Sequence, residues 1–166
     1  MKQAIGRHNS QVLKDQQGDE THQPGCNCTG RCGPCPLQGG CLVDNVVYKA
    51  TIVDQDSKVN TYTGLTSNTF KQRFYGHRST IENKDHENPT TLSTHVWDLK
   101  ERNKNFEISW SIIDRAKNFN PATRKCNLCI KEKYYIIFHH QGATLNERSE
   151  LYSTCRHRLK QTLANT

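Results

Sequence analysis

What this chain lacks narrows its class before any motif is considered. No stretch of its 166 residues approaches the run of about 20 apolar residues that a membrane span needs, and the N-terminus has no apolar core of the signal-peptide kind. The reading is a soluble, intracellular chain with no membrane partner. A reducing compartment rules out disulfides as the explanation for eight cysteines and leaves metal binding. Acid is in deficit too: 16 Asp and Glu stand against 23 Lys and Arg, a formal charge of +7 with pI near 9.0. That balance favours a polyanionic partner, nucleic acid first, with a merely solubilising surface as the alternative. The excess is concentrated late, where Arg124, Lys125, Lys131, Lys133, Arg148, Arg156, Arg158 and Lys160 face only Glu132, Glu147 and Glu150. Phosphate contacts are expected there. Internal repeats and low-complexity tracts are missing as well, and the length leaves room for one domain and a small appendage.

What is present falls into three parts. Residues 1–25 are polar, too poor in apolar side chains to bury anything alone, and read as a linker. Residues 26–44 form a dense Cys/Gly/Pro segment that reads as a metal-nucleated knuckle, since so short a loop has no core of its own. Residues 45–166 read as the main domain. In it, Val46–Ile52 and Val59–Leu65 have strand composition around the polar turn Asp54–Lys58, which predicts a β-hairpin. Thr66 or Ser67 is placed to cap a helix in which Phe70, Phe74, His77 and Ile81 recur at spacings of three and four. A second helix is expected after Asn88-Pro89, with Leu92, Val96 and Leu99 on one face, and the strict alternation of Phe106–Ile112 predicts a third strand. Lys131–His139 reads as a helix too apolar for the surface, ended by Gln141-Gly142, and a last helical turn is expected from near Asn146 through Leu151.

The order of these elements, and the residues on them, resemble the GIY-YIG nuclease superfamily. Val46-Val47-Tyr48 stands where that family has Gly-Ile-Tyr, and Tyr62-Thr63-Gly64 where it has Tyr-Ile-Gly. Arg73 and His77 match its arginine helix, Glu132 its metal-binding acid and Asn146 its late asparagine. Val46 and Thr63 depart from the pattern, both as residues a strand accepts. The cysteine strings and Leu145-Asn146-Glu147-Arg148-Ser149-Glu150-Leu151 are similar, more narrowly, to the endonuclease module of Penelope-like retroelements.

That resemblance implies a small α+β fold, a three-stranded antiparallel sheet flanked by helices, and an endonuclease hydrolysing DNA phosphodiester bonds. It implies nicking of target DNA to expose a 3′ hydroxyl for priming, a reverse transcriptase of the same element as partner, and action in the nucleus. Glu132, a hard oxygen donor, suits one catalytic Mg²⁺ or Mn²⁺. Arg73 offers a fixed fork for phosphate oxygens. Tyr48 is the implied base, which an unperturbed pKa near 10 makes dependent on its neighbours; His77 is placed to activate it or to be the base itself. Tyr62 would position water or phosphate, Gly64 would let the backbone pass close to metal or DNA, and Asn146 would orient a ligand or substrate oxygen. Taken singly, Tyr48 and Tyr62 also read as ordinary strand aromatics, and Arg73 and His77 as solvated helix residues. Glu132 in an apolar helix needs a cation nearby, a metal or Lys131 or Lys133. His95 reads equally as cleft-facing or core-capping. The alternative function is a catalytically decayed, zinc-stabilised nucleic-acid-binding module.

Two zinc sites are expected. Cys126-x-x-Cys129 followed by Cys155-x-His157 supplies four ligands for a closed structural Zn²⁺ site, which would pin the start of the helix that presents Glu132. The N-terminal group has five cysteines, one more than a tetrahedral site uses; the resemblance makes Cys26, Cys28, Cys35 and Cys41 the ligands and Cys32 the extra one.

Overall fold

The computed structural model describes residues 25–28, 33–86, 89–117, 126–139 and 144–146. Strands β1 (Val46–Asp54), β2 (Val59–Thr66) and β3 (Phe106–Arg115) form one antiparallel sheet in the order β2-β1-β3, with helices α1 (Phe70–Glu82), α2 (Thr91–Glu101) and α3 (Asn127–Phe138). The class is α+β. As the central strand, β1 is covered on both faces, and its period-2 alternation divides the core. Val46 and Tyr48 join Cys41, Val43 and Phe70, while Ala50 and Ile52 join Leu92, Val96 and Leu99 of α2. Val47, pointing the other way, packs with Cys126 and Leu128 at the start of α3.

The hairpin turn is built by Asp54, which is buried: its carboxylate accepts from the N–H groups of Asp56 (3.0 Å) and Lys58 (2.9 Å), so Ser57 takes a left-handed φ of 60°. The cap of α1 differs from expectation. Thr69, rather than Thr66 or Ser67, accepts from Gln72 N–H; Thr66 Oγ1 instead accepts from Asn68 N–H in the approach to the helix. The next two N–H groups of α1, on Phe70 and Lys71, donate to Val43 (2.7 Å) and Cys41 (2.8 Å) carbonyls, so the knuckle itself satisfies the helix start. A reciprocal Thr90/Ser93 capping box opens α2.

α3 corrects two expectations. It begins at Asn127, not Lys131, and one of its faces is open: among the described residues Ile130, Tyr134 and Phe138, four apart, are half or more exposed. Leu128 and Ile136 supply the buried side. β3 also runs three residues beyond Ile112, across an irregularity opposite Val47/Tyr48 where Ile113 has no partner on β1. Among the described residues no helix is long and apolar enough to cross a membrane. The final helical turn after Asn146, and all but Gly25 of the 1–25 linker, lie outside the described residues.

Candidate active site and metal centre

Tyr48 is fully buried near the start of β1, opposite Gly64 of β2. A Cβ at Gly64 would stand 2.6 Å from the Tyr48 ring carbon Cζ, closer than real atoms approach, so the phenol ring lies across the glycine. Glycine is therefore needed here for an internal reason, room for an aromatic side chain on the next strand.

Around the Tyr48 hydroxyl, α1 places two side chains one turn apart. Arg73 donates from Nε at 2.8 Å, and His77 Nε2 lies at 2.7 Å. Tyr62, beside Tyr48 and on the same face of the sheet, is hydrogen-bonded to Arg73 and meets the His77 ring edge-on at 5.7 Å. Trp110 of β3 closes the cage, 5.4 Å from His77 and 6.1 Å from Tyr48, with Phe70 against both Tyr48 and Trp110. From sequence Phe70 reads only as one of the periodic apolar residues of α1, and Trp110 only as part of the alternating strand that puts it on one face with Ile108 and Ile112.

The electrostatics of this cage follow from its dryness. Burial pushes the Tyr48 hydroxyl up from its ordinary value, Tyr62 and Glu132 adding to the rise and Arg73 opposing it. Burial first, and then the Arg73 charge, lower His77 from 6.5 to about 3, so it is a neutral imidazole at physiological pH. With its Nε2 2.7 Å from the Tyr48 hydroxyl, His77 is as deeply enclosed as the tyrosine it contacts. Its Nδ1 is buried without a hydrogen-bond partner among the described residues. Arg73 is the one residue of the pair that remains partly open.

Glu132 sits half-buried on α3, close enough for its charge to be felt at Tyr48. Of the neighbouring lysines, Lys131 bonds Asp114 at 2.7 Å and the Arg115 carbonyl at 2.6 Å, and Lys133 Nζ is buried with no hydrogen-bond partner among the described residues. A half-buried carboxylate of this kind is a hard donor that fits Mg²⁺ or Mn²⁺, which commonly take one or two protein carboxylates and complete their shell with water and phosphate.

Asn146 lies against β2: its Oδ1 accepts from Thr63 N–H and its Nδ2 donates to Thr63 C=O, both at 2.8 Å, so its amide holds both main-chain groups of the residue before Gly64. Thr144 and Leu145 extend the contact, with Thr61 N–H donating to Thr144 Oγ1 (2.8 Å) and Leu145 N–H to Thr61 C=O (2.9 Å). The segment 144–146 thus steadies the outer edge of β2 behind Tyr62 and Gly64. His95 lies elsewhere: its electrostatic neighbours are Asp98, Lys58, Asp54 and Arg102, and its buried Nε2 has no hydrogen-bond partner among the described residues.

The knuckle brings four cysteines together. The Sγ atoms of Cys26, Cys28, Cys35 and Cys41 all lie within 4.8 Å of one another, Cys41 being 3.5 Å from both Cys26 and Cys28. Tetrahedral Zn–S bonds of about 2.3 Å set sulphur–sulphur edges of about 3.8 Å, so the four thiols are spaced for one such ion. Burial raises the Cys35 thiol, but N–H donors from Gly39 and Leu37 outweigh it and bring the group to about 6, favouring the thiolate a metal requires. Cys32 lies outside the described residues. So do Cys155 and His157; of the second cysteine group only Cys126 and Cys129 are described, packed with Val47 and Leu128. No family model, no curated protein and no solved structure matches the chain.

Proposed function

We propose that this chain is a GIY-YIG-type DNA endonuclease module of the kind found in Penelope-like retroelements. The observation that carries the reading is the convergence of Arg73 and His77 on the Tyr48 hydroxyl, at 2.8 and 2.7 Å, with Tyr62 and Glu132 in the same electrostatic neighbourhood. Four elements contribute to that cluster, a poor arrangement for ordinary core aromatics.

In this reading Tyr48 passes its own proton to the neutral His77 Nε2 at 2.7 Å and, as the phenolate, accepts the proton of the attacking water. Arg73 favours its ionised form by donating into the phenol oxygen and presents the rest of its guanidinium to a phosphate. His77, neutral until that transfer, also fixes the Tyr48 oxygen in place. Glu132 holds one Mg²⁺ or Mn²⁺, which when bound supplies screening of the phosphate charge and support for the leaving 3′ oxygen. Placing a cation on Glu132 also removes one of the charges that raise Tyr48, so metal binding and tyrosine ionisation favour each other. The knuckle thiols hold a structural Zn²⁺, and Cys126 and Cys129 supply half of a second site with Cys155 and His157. DNA is the partner, with a reverse transcriptase of the same element upstream in function and the nucleus as site of action.

The test is relaxation of supercoiled plasmid with Mg²⁺ or Mn²⁺. Nicking by the wild type that Glu132→Ala and Arg73→Ala both abolish is the expected result. A folded, metal-loaded wild type that binds DNA with steep salt dependence and never nicks it is instead the binding module.

A further inference from the structure

Between the knuckle and β3 lies a groove of about 630 Å³, separate from the Tyr48 hydroxyl cage but sharing a wall with it. Trp110 and Phe74, edge to face at 5.6 Å, form its floor, and the backs of these rings belong to the packing around His77 and Tyr48. All five residues from Ile108 to Ile112 line it. Successive strand side chains point to opposite faces, so a groove that touches five in a row runs along the strand's edge, where backbone N–H and C=O groups stand. Among the described residues β3 is indeed an edge strand, with no neighbour on this side. Gln38, Ser109 and Ser111 add neutral polar groups, Arg115 closes one end, and among the described residues no acidic side chain lines it.

From this geometry we infer that the groove is a subsite for an unpaired nucleotide of a single-stranded nucleic-acid segment adjoining the Tyr48 centre. The inference rests on the nucleic-acid part of the function proposed above. Aromatic surface for base stacking beside a cationic group is what single-strand sites combine. Its volume is that of a small-molecule site, room for one or two nucleotides and not for a duplex. An unpaired base also has its Watson–Crick edge available to the exposed strand backbone, whereas a duplex has already used it. The knuckle thiols bring negative charge near one wall, but the Gly39 N–H donates to Cys35 Sγ at 3.2 Å, and Arg115 lies toward the far end of β3. Trp110 is the wall the groove shares with the cage, one face toward the groove and its ring 5.4 Å from that of His77.

The experiment uses the full chain loaded with zinc, without Mg²⁺ or Mn²⁺ so that no cleavage occurs. Trp97→Phe leaves Trp110 as the sole indole. An oligothymidylate is expected to quench Trp110 fluorescence. Ser109→Glu and Arg115→Glu, both at exposed positions, are expected to weaken its binding by about tenfold and binding of a blunt duplex by less than about twofold, with melting temperature and zinc content unchanged. Unquenched Trp110 overturns the proposal, as do equal losses on both substrates. Quenching by an extended apolar peptide in place of the oligonucleotide also overturns it and assigns the edge to strand addition. Oligonucleotide quenching by a chain that nicks no plasmid keeps the subsite and removes the nuclease reading, so the two failures are distinguishable.

Discussion

The knuckle draws its four thiols from one loop between Cys26 and Cys41, whereas the Tyr48 cage draws on β1, β2, β3 and α1, with Glu132 added from α3. Both regions nonetheless meet in one hydrophobic cluster, in which Cys41 and Tyr48 are each fully buried. The first is a local solution: like side chains close in sequence are gathered at the spacing of one ion, which could supply the energy so short a loop lacks. The second is a tertiary solution, in which a phenol, a guanidinium and an imidazole are dried together and each changes the others' proton affinity. The contrast teaches that the knuckle should fail as a folding unit, and the cage as a chemical one.

The sharpest way to break that contrast is Cys41→Ser. Cys41 is both a thiol of the cluster and a core residue whose carbonyl receives the Lys71 N–H at the start of α1. Loss of bound zinc and of roughly 3 kcal/mol or more of stability is expected, read by metal analysis and denaturant melting. A variant that keeps its stability while losing the metal would show the knuckle to be an appendage.

Gly64→Ala should cost about 2 to 3 kcal/mol, because the new methyl group collides with the Tyr48 ring. In the double variant Gly64→Ala/Tyr48→Ala the penalty of the alanine itself should fall below roughly 1 kcal/mol, a coupling that a double-mutant cycle measures directly. Next in size is Tyr48→Phe. Removing the hydroxyl strands Arg73 Nε and His77 Nε2, so about 1 to 3 kcal/mol is expected in melting experiments, together with complete loss of plasmid nicking. Nicking by this variant would remove Tyr48 from the chemistry.

His77 provides a pH test of the cage. The unfolded chain protonates a histidine near 6.5, while the folded one holds His77 neutral down to about 3. The unfolded state therefore binds the extra proton between those values. The stability owed to a neutral His77 is complete above 6.5 and drains away as the pH falls toward 3, at no more than about 1.4 kcal/mol per pH unit. His77→Gln should flatten the stability profile across that window, and an unchanged profile would mean the imidazole is less enclosed than it appears here. Smallest of all, Arg78→Ala breaks an exposed i, i+4 pair with Glu82 and should shift stability by less than about 0.5 kcal/mol.

Much of this arrangement was legible in the chain. The hairpin, the alternating third strand and the helices carrying Phe70 and Leu92 follow from periodicity, since burial of one face forces apolar residues to recur at the period of the element. The cysteine grouping likewise follows from composition, because ligands supplied by a single loop are neighbours in sequence. Other features were decided by packing alone. Thr69 caps α1 in place of Thr66 because the Cys41 and Val43 carbonyls fix where the helix begins. Gly64 serves the Tyr48 ring, and Asn146 serves the Thr63 peptide, because strand pairing places partners together that lie far apart in the chain. The altered proton affinities of Tyr48 and His77 arise first from burial among distant segments, with Tyr62 and Glu132 adding to it at Tyr48 and Arg73 adding to it at His77. Local propensity and spacing are written residue by residue, but desolvation and register arise only when distant segments close upon one another.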